Sequence, residues 1–200
     1  MSAVEDHFGE AAEAYAGLVA AIQPDQWTAP GLGEWDLRAL VGHTSRSLIT
    51  VETYLGLPAD REVLASPAAY LAAVAAVDPA SVVDRGRAAG EALGDDPVGF
   101  VRGLIDRVLP LVAGEDDPLI TTILGGMRLR QYLPTRNFEL VVHSLDIARA
   151  AGLPAPDYSV GLLTEVLELT AAAAVLGGRG PELLLALTGR TTLSAGFSVV

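Results

Sequence analysis

RNFELVVHSLDIARAAG, residues 136–152, is the stretch whose reading decides the fold. Its apolar residues do not keep to one stripe. Leu140, Val141, Leu145, Ile147 and Ala148 cover several flanks, which predicts a helix buried on more than one side. Pro134 and Thr135 are expected to open it and Gly152 to end it. With about 3.6 residues per turn, Arg136, Glu139, His143 and Asp146 share one face. Glu139 and His143, four apart, can chelate one metal ion. FELVVHSL is too apolar for a solvated face, and burying Glu139 as an anion is costly without a cation or metal beside it.

A third ligand is available upstream. In GEWDLRALVGHTSRSL (33–48), Asp36 is a credible cap for a helix over residues 37–55 that carries His43. Two histidines and one carboxylate with a position left open form the pattern of a catalytic divalent-metal site, not of a closed structural one. The chain has three histidines, so this is a distinctive use of a scarce residue. The alternative is that His43 and His143 are buried polar residues satisfied locally, with Glu139 paired to Arg136. Asp146, one turn beyond His143, can orient its imidazole or pair with Arg149. Arg136 and Arg130 are candidate grips for a substrate carboxylate; the alternative is ion pairing with Glu139 and the loop acids. His7 reads as a surface or boundary residue with no acidic or histidine partner at ligand spacing beyond Asp6, and Trp27 and Trp35 as packing under their loop.

Elsewhere, residues 4–22 read as an amphipathic helix with Phe8, Ala12, Tyr15, Val19 and Ile22 on one stripe. Ser66-Pro67, Asp78-Pro79 and Asp96-Pro97 each set a capping side chain before proline and predict three middle helices. Residues 120–133, with Gly125-Gly126 between ITTIL and MRLRQYL, read as a short β-hairpin or as one broken helix. A last long helix covers residues 159–176, and a short helix and extended end follow. The expected fold is all-α, with four long helices as the frame of one domain over residues 1–180 and residues 181–200 packed on it.

Composition removes several chemistries. With no cysteine there is no disulfide, no thiolate-held metal and no thiol nucleophile. All 13 basic residues are arginine, so the phosphate-loop lysine and Schiff-base lysine are absent too. A net charge of −12 argues against nucleic acid and anionic membranes as partners. No apolar run approaches the roughly 18 residues of a membrane span, and the acidic start has no basic n-region or apolar h-region. The expected location is cytoplasmic.

The W-x-x-P-x-x-x-x-W loop (27–35) running into DLRALVGH, together with RNFELVVHSLDIARAAGL (136–153), resembles the metal-binding domain of mycothiol-dependent maleylpyruvate isomerase, within the DinB-like superfamily. LLLALTGRTTLSAGFSVV (183–200) is similar to the tails of actinobacterial members. The resemblance implies a four-helix bundle holding a divalent metal, usually zinc, through His43, Glu139 and His143. It implies a metal-dependent enzyme in which the small-molecule thiol mycothiol is transferred to an electrophile, or isomerises it by reversible addition. A non-catalytic metal- or ligand-binding module of the same fold is the alternative. Nickel, manganese or iron suit the same ligands. The isomerase carries a further C-terminal domain that helps bind substrate, where this chain has residues 181–200, so the resemblance does not extend to maleylpyruvate itself. A monomer or a homodimer is expected.

Overall fold

Trp35 and Asp36 begin the element that positions the site. Asp36 ends a two-stranded hairpin, β1 (Pro30–Leu32) with β2 (Trp35–Asp36), and caps α2 (Leu37–Leu55) by accepting from the Ala39 backbone N–H at 2.7 Å. In the computed structural model, which describes residues 3–74 and 78–199, α1 spans Ala3–Ala21, α3 Pro67–Val74, α4 Pro79–Ala92 and α5 Pro97–Ala113. The second hairpin, β3 (Leu119–Thr122) with β4 (Gly125–Arg128), leads into α6 (Leu129–Ala151). α7 (Val160–Leu176) and α8 (Gly180–Leu187) follow. The fold is the all-α, DinB-like bundle with short hairpins.

The bundle closes as a ring in which α1 meets α6, α6 meets α2, α2 meets α5 and α5 meets α1. Its fourth member is therefore α5, while α7 lies outside against α6 and α3. The expected stripe of α1 is buried throughout, Ser66, Asp78 and Asp96 cap their helices as the sequence indicates, and Ser159 caps α7. The apolar run 70–77 continues α3 to Val74; its last three residues and Val200 of the tail lie outside the described residues. Among the described residues, no helix is long and apolar enough to cross a membrane.

Three expectations need correction. α6 starts at Leu129, so Pro134 lies inside the helix and does not open it. Pro134 costs the amide that would bond to the carbonyl four residues back, but at this depth from the N-terminus the buried Tyr132, Leu133, Leu140 and Val141 hold the helix around it. The turn of the second hairpin falls at Ile123-Leu124, held by Thr122 Oγ1 accepting from Leu124 N, and both glycines belong to β4. A Cβ at Gly126 would lie 2.0 Å from Arg61 O, so glycine is needed there for a close backbone approach, not for a turn. Leu145 is 42% exposed and is not part of the core. His7 is half-buried, at the boundary as expected, and its Nδ1 lies 3.0 Å from Glu165 Oε2 on α7.

Candidate metal centre

α2 and α6 pack side by side in the ring, and the site forms where His43 meets Glu139 and His143. His143 Nε2 lies 3.1 Å from Glu139 Oε2, and His43 Nε2 lies 3.8 Å from the same oxygen. The two imidazoles stand edge to face with ring centres 5.0 Å apart. One ligand atom from each of the three residues can be chosen so that all lie within 4.8 Å of one another. An ion bound at about 2.0–2.2 Å to nitrogen and oxygen ligands needs separations of this order. The 3.8 Å gap is too long for a hydrogen bond, so the His43 side of the cluster is not closed by its own contacts. Two imidazoles and a carboxylate are the right donor set for a divalent ion with an open position, and the residues fit it.

The electrostatics of the cluster depend on burial set against neighbours. Burial works against the charge of Glu139, yet the neighbouring His143 and His43 rings and the Arg136 guanidinium hold its carboxyl well below the usual carboxylate range. Burial likewise opposes charge on His143, but Asp146 and Glu139 outweigh it and push its pKa up to about 9. The Asp146 Oδ2 lies 3.3 Å from His143 Nδ1, while the other Asp146 oxygen accepts from Arg149 Nη2 at 2.7 Å. Asp146 therefore contacts both His143 and Arg149. For His43 burial prevails and the pKa falls, leaving a neutral ring. Its Nδ1 is buried without a hydrogen-bond partner among the described residues, so no protein group fixes its tautomer.

Trp35 packs its indole 4.5 Å from the His43 ring and donates Nε1–H to Val83 O at 3.0 Å. It does pack under its loop, and it also forms a wall of the site. α4 can approach this wall because a Cβ at Gly86 would lie 2.4 Å from Trp35 Cε2. The triad opens into a cavity of about 240 Å³, also lined by Tyr54, Tyr70, Tyr132, Arg46, Arg85 and Arg136.

The expected arginines separate. Arg136 is buried beside the triad, its guanidinium 4.8 Å and 5.6 Å from the ring centres of Tyr132 and Tyr70 and 4.0 Å from Glu139 Oε1. Its Nε donates to Thr135 Oγ1 at 3.1 Å. Arg130 does not line the cavity; its Nε bonds Glu5 Oε1 at 3.1 Å, and Nη1 lies 3.8 Å from Asp116. Sequence reasoning passed over Arg46, although one turn from His43 on the same helix face is a legible signal. Tyr70 and Arg85 come from α3 and α4 and gave none.

The chain matches the family model described as the mycothiol maleylpyruvate isomerase N-terminal domain over residues 8–148, a stretch that contains all three triad residues. No curated protein and no solved structure matches it. The match covers most of the chain and agrees with the bundle and its His–Glu–His cluster, so this protein belongs to the mycothiol maleylpyruvate isomerase N-terminal domain family.

Proposed function

We propose that the protein is a divalent-metal-dependent enzyme of the cytoplasm, acting as a monomer or homodimer. In this reading it uses mycothiol for S-transfer to, or cis–trans isomerisation of, a small electrophile. The observation that carries the proposal is the convergence of His43, Glu139 and His143 beside a cavity in a chain with no thiol of its own. Residues 1–180 would form the metal-binding bundle and residues 181–200 its packed tail.

His43 Nε2, His143 Nε2 and a Glu139 oxygen would hold the ion, zinc being the best match to these donors. Once bound, such an ion offers a Lewis-acid position at which a thiol loses its proton near neutral pH. Asp146 holds the proton on His143 Nδ1 and so keeps the Nε2 lone pair directed at the site. Arg136 balances the buried carboxylate and keeps its second oxygen in place. Tyr132 and Tyr70 have pKa values raised by burial, so they remain protonated and serve as walls and donors, not bases. Tyr132 donates to Thr50 Oγ1 at 2.8 Å. Trp35 packs against the His43 ring, with ring centres 4.5 Å apart.

The cavity lining, among the described residues, favours one further reading. Apart from the triad, the cavity offers arginines, protonated phenols, Ser47 and Thr50, which suits a binding module that performs no reaction. The two readings separate in one experiment. The metal-loaded protein is mixed with mycothiol and a panel of small electrophiles while thiol loss and melting temperature are followed. Thiol consumption that disappears in His143→Ala supports the enzyme. Metal-loaded protein with neither consumption nor stabilisation by mycothiol supports the binding module.

A further inference from the structure

α7 is apolar around its circumference, although it lies on the outside of the bundle. Leu162, Val166, Leu169 and Ala173 face inward and are buried. Val160, Leu163, Leu167 and Val175 face outward, with Val160 83% and Leu167 65% exposed. A helix that is hydrophobic all round is ordinarily covered all round. Polar contacts hold α7 in this rotation. Ser159 Oγ donates to Glu10 Oε2 at 2.6 Å, and Glu165 is held between His7 and Asn137, whose Nδ2 donates to Glu165 Oε1 at 2.6 Å.

The outward face continues onto α8. A Cβ at Gly180 would lie 2.9 Å from Val175 Cγ2, so α8 starts against the end of the stripe. No residue of α8 is buried, and Leu184 and Leu187 are 64% and 74% exposed. The tail leaves them open. Its contacts are at the start of α8, where the Arg179 guanidinium sits 4.2 Å from the Phe197 ring centre and Glu182 Oε1 accepts from Ser194 N at 2.8 Å.

Area and symmetry indicate what covers this face. Nine of the fifteen exposed large apolar side chains among the described residues lie between Val160 and Leu193, a small part of the chain. A Val or Leu side chain offers roughly 60–120 Å² of apolar surface, so the exposed parts of these nine come to about 500 Å². A stable dimer buries about 800 Å² on each partner, roughly two thirds of it apolar, which is the same area. A two-fold contact sets one patch against its own copy. Leu163 and Ala171 lie four residues to either side of Leu167, with Val160 and Val175 beyond them. Two such helices crossing antiparallel at Leu167 set Leu163 against Ala171 and Val160 against Val175. Charge agrees, because in a chain of net charge −12 this helix carries only Glu165, turned inward, and Glu168 at the edge of the stripe.

We infer that the outer face of α7, continued by α8, is the interface of a homodimer in which α7 packs antiparallel on α7 of a second copy.

The test weighs the full chain by light scattering on a sizing column and by sedimentation over a dilution series. Wild type is expected at twice the chain mass of 20.7 kDa, with or without zinc, so the result does not depend on the metal-centred reading. Leu167→Glu sets two like charges at the two-fold axis and should weaken the dimer about a hundredfold or more. Val98→Glu, at an exposed site on α5, should leave the mass unchanged. Because the chain has no cysteine, Leu167→Cys adds a single thiol; a short bismaleimide should join two chains through it and fail with Val98→Cys. Melting curves keep loss of fold apart from loss of pairing. A wild type that stays monomeric at every concentration would overturn the inference and leave the face to a different protein. A dimer that persists in Leu167→Glu, or a Leu167→Cys thiol that does not join the copies, would place the interface elsewhere and overturn it too.

Discussion

At the scale of residues, the decisive quantity is the proton on His143. Both ring nitrogens face carboxylates, Glu139 at 3.1 Å and Asp146 at 3.3 Å, and these raise its pKa to about 9 against the cost of burial. A metal binds only the unprotonated ring, so below that pKa it must displace a proton. Glu139 and His43 are shifted downward and are already free of protons at neutral pH, so they add no slope there. Zinc affinity is therefore expected to rise about tenfold per pH unit from pH 6 toward pH 9 and then level off, with release of one proton. In Asp146→Asn the rise should end at lower pH, and affinity at pH 9 should be about 10–100-fold weaker because the ring is less firmly oriented. Calorimetry in buffers of differing protonation enthalpy measures both, and an affinity flat across this range contradicts the assignment. Much of this cluster was readable in the sequence, because Glu139, His143 and Asp146 share one helix face and spacing alone brings them together. Arg130 pairs with Asp116, one of the loop acids the sequence offered, and with Glu5 on α1, 125 residues away, where no local pattern reaches.

At the scale of elements, the site depends on how closely α4 approaches α2. A Cβ at Gly42 would lie 2.2 Å from Gly90 N, and one at Gly90 would lie 2.8 Å from Ala39 Cα. Glycine at both positions lets the backbones touch, which sets Trp35 against His43 and brings Arg85 to the cavity. Gly42→Ala is expected to force the helices apart and to cost about 3 kcal/mol, at the upper end of overpacking effects. For a chain of this size that corresponds to a fall in melting temperature of roughly 6–12 °C. A melting temperature equal to wild type would show that the contact is not needed. The sequence carried a sign of this contact in Gly86 and Gly90, four apart on α4, which the reading for chemistry did not use. Caps were legible because each depends on one side chain and its own backbone, as at Asp36 and Asp96. Pro134 and Gly125-Gly126 misled because their usual local meanings were overridden by packing, around Tyr132 in one case and against Arg61 in the other.

At the scale of the whole molecule, the ring of α1, α6, α2 and α5 holds two ligand-bearing helices in place across a single core. His43 is far in sequence from Glu139 and His143, and only the closed bundle joins them. The all-α class was legible from periodicity and caps. The choice of α5 over α7 as the fourth member was not, because it depends on which faces complement one another in space. The triad's role is tested most directly by metal equivalents per chain, measured by mass spectrometry on wild type, His43→Ala, Glu139→Gln and His143→Ala after equal exposure to zinc. Wild type should hold close to one equivalent and each variant almost none, with all four folded by circular dichroism. Equal metal in wild type and variants, or negligible metal in all of them, would contradict the assignment of His43, Glu139 and His143 as a metal centre.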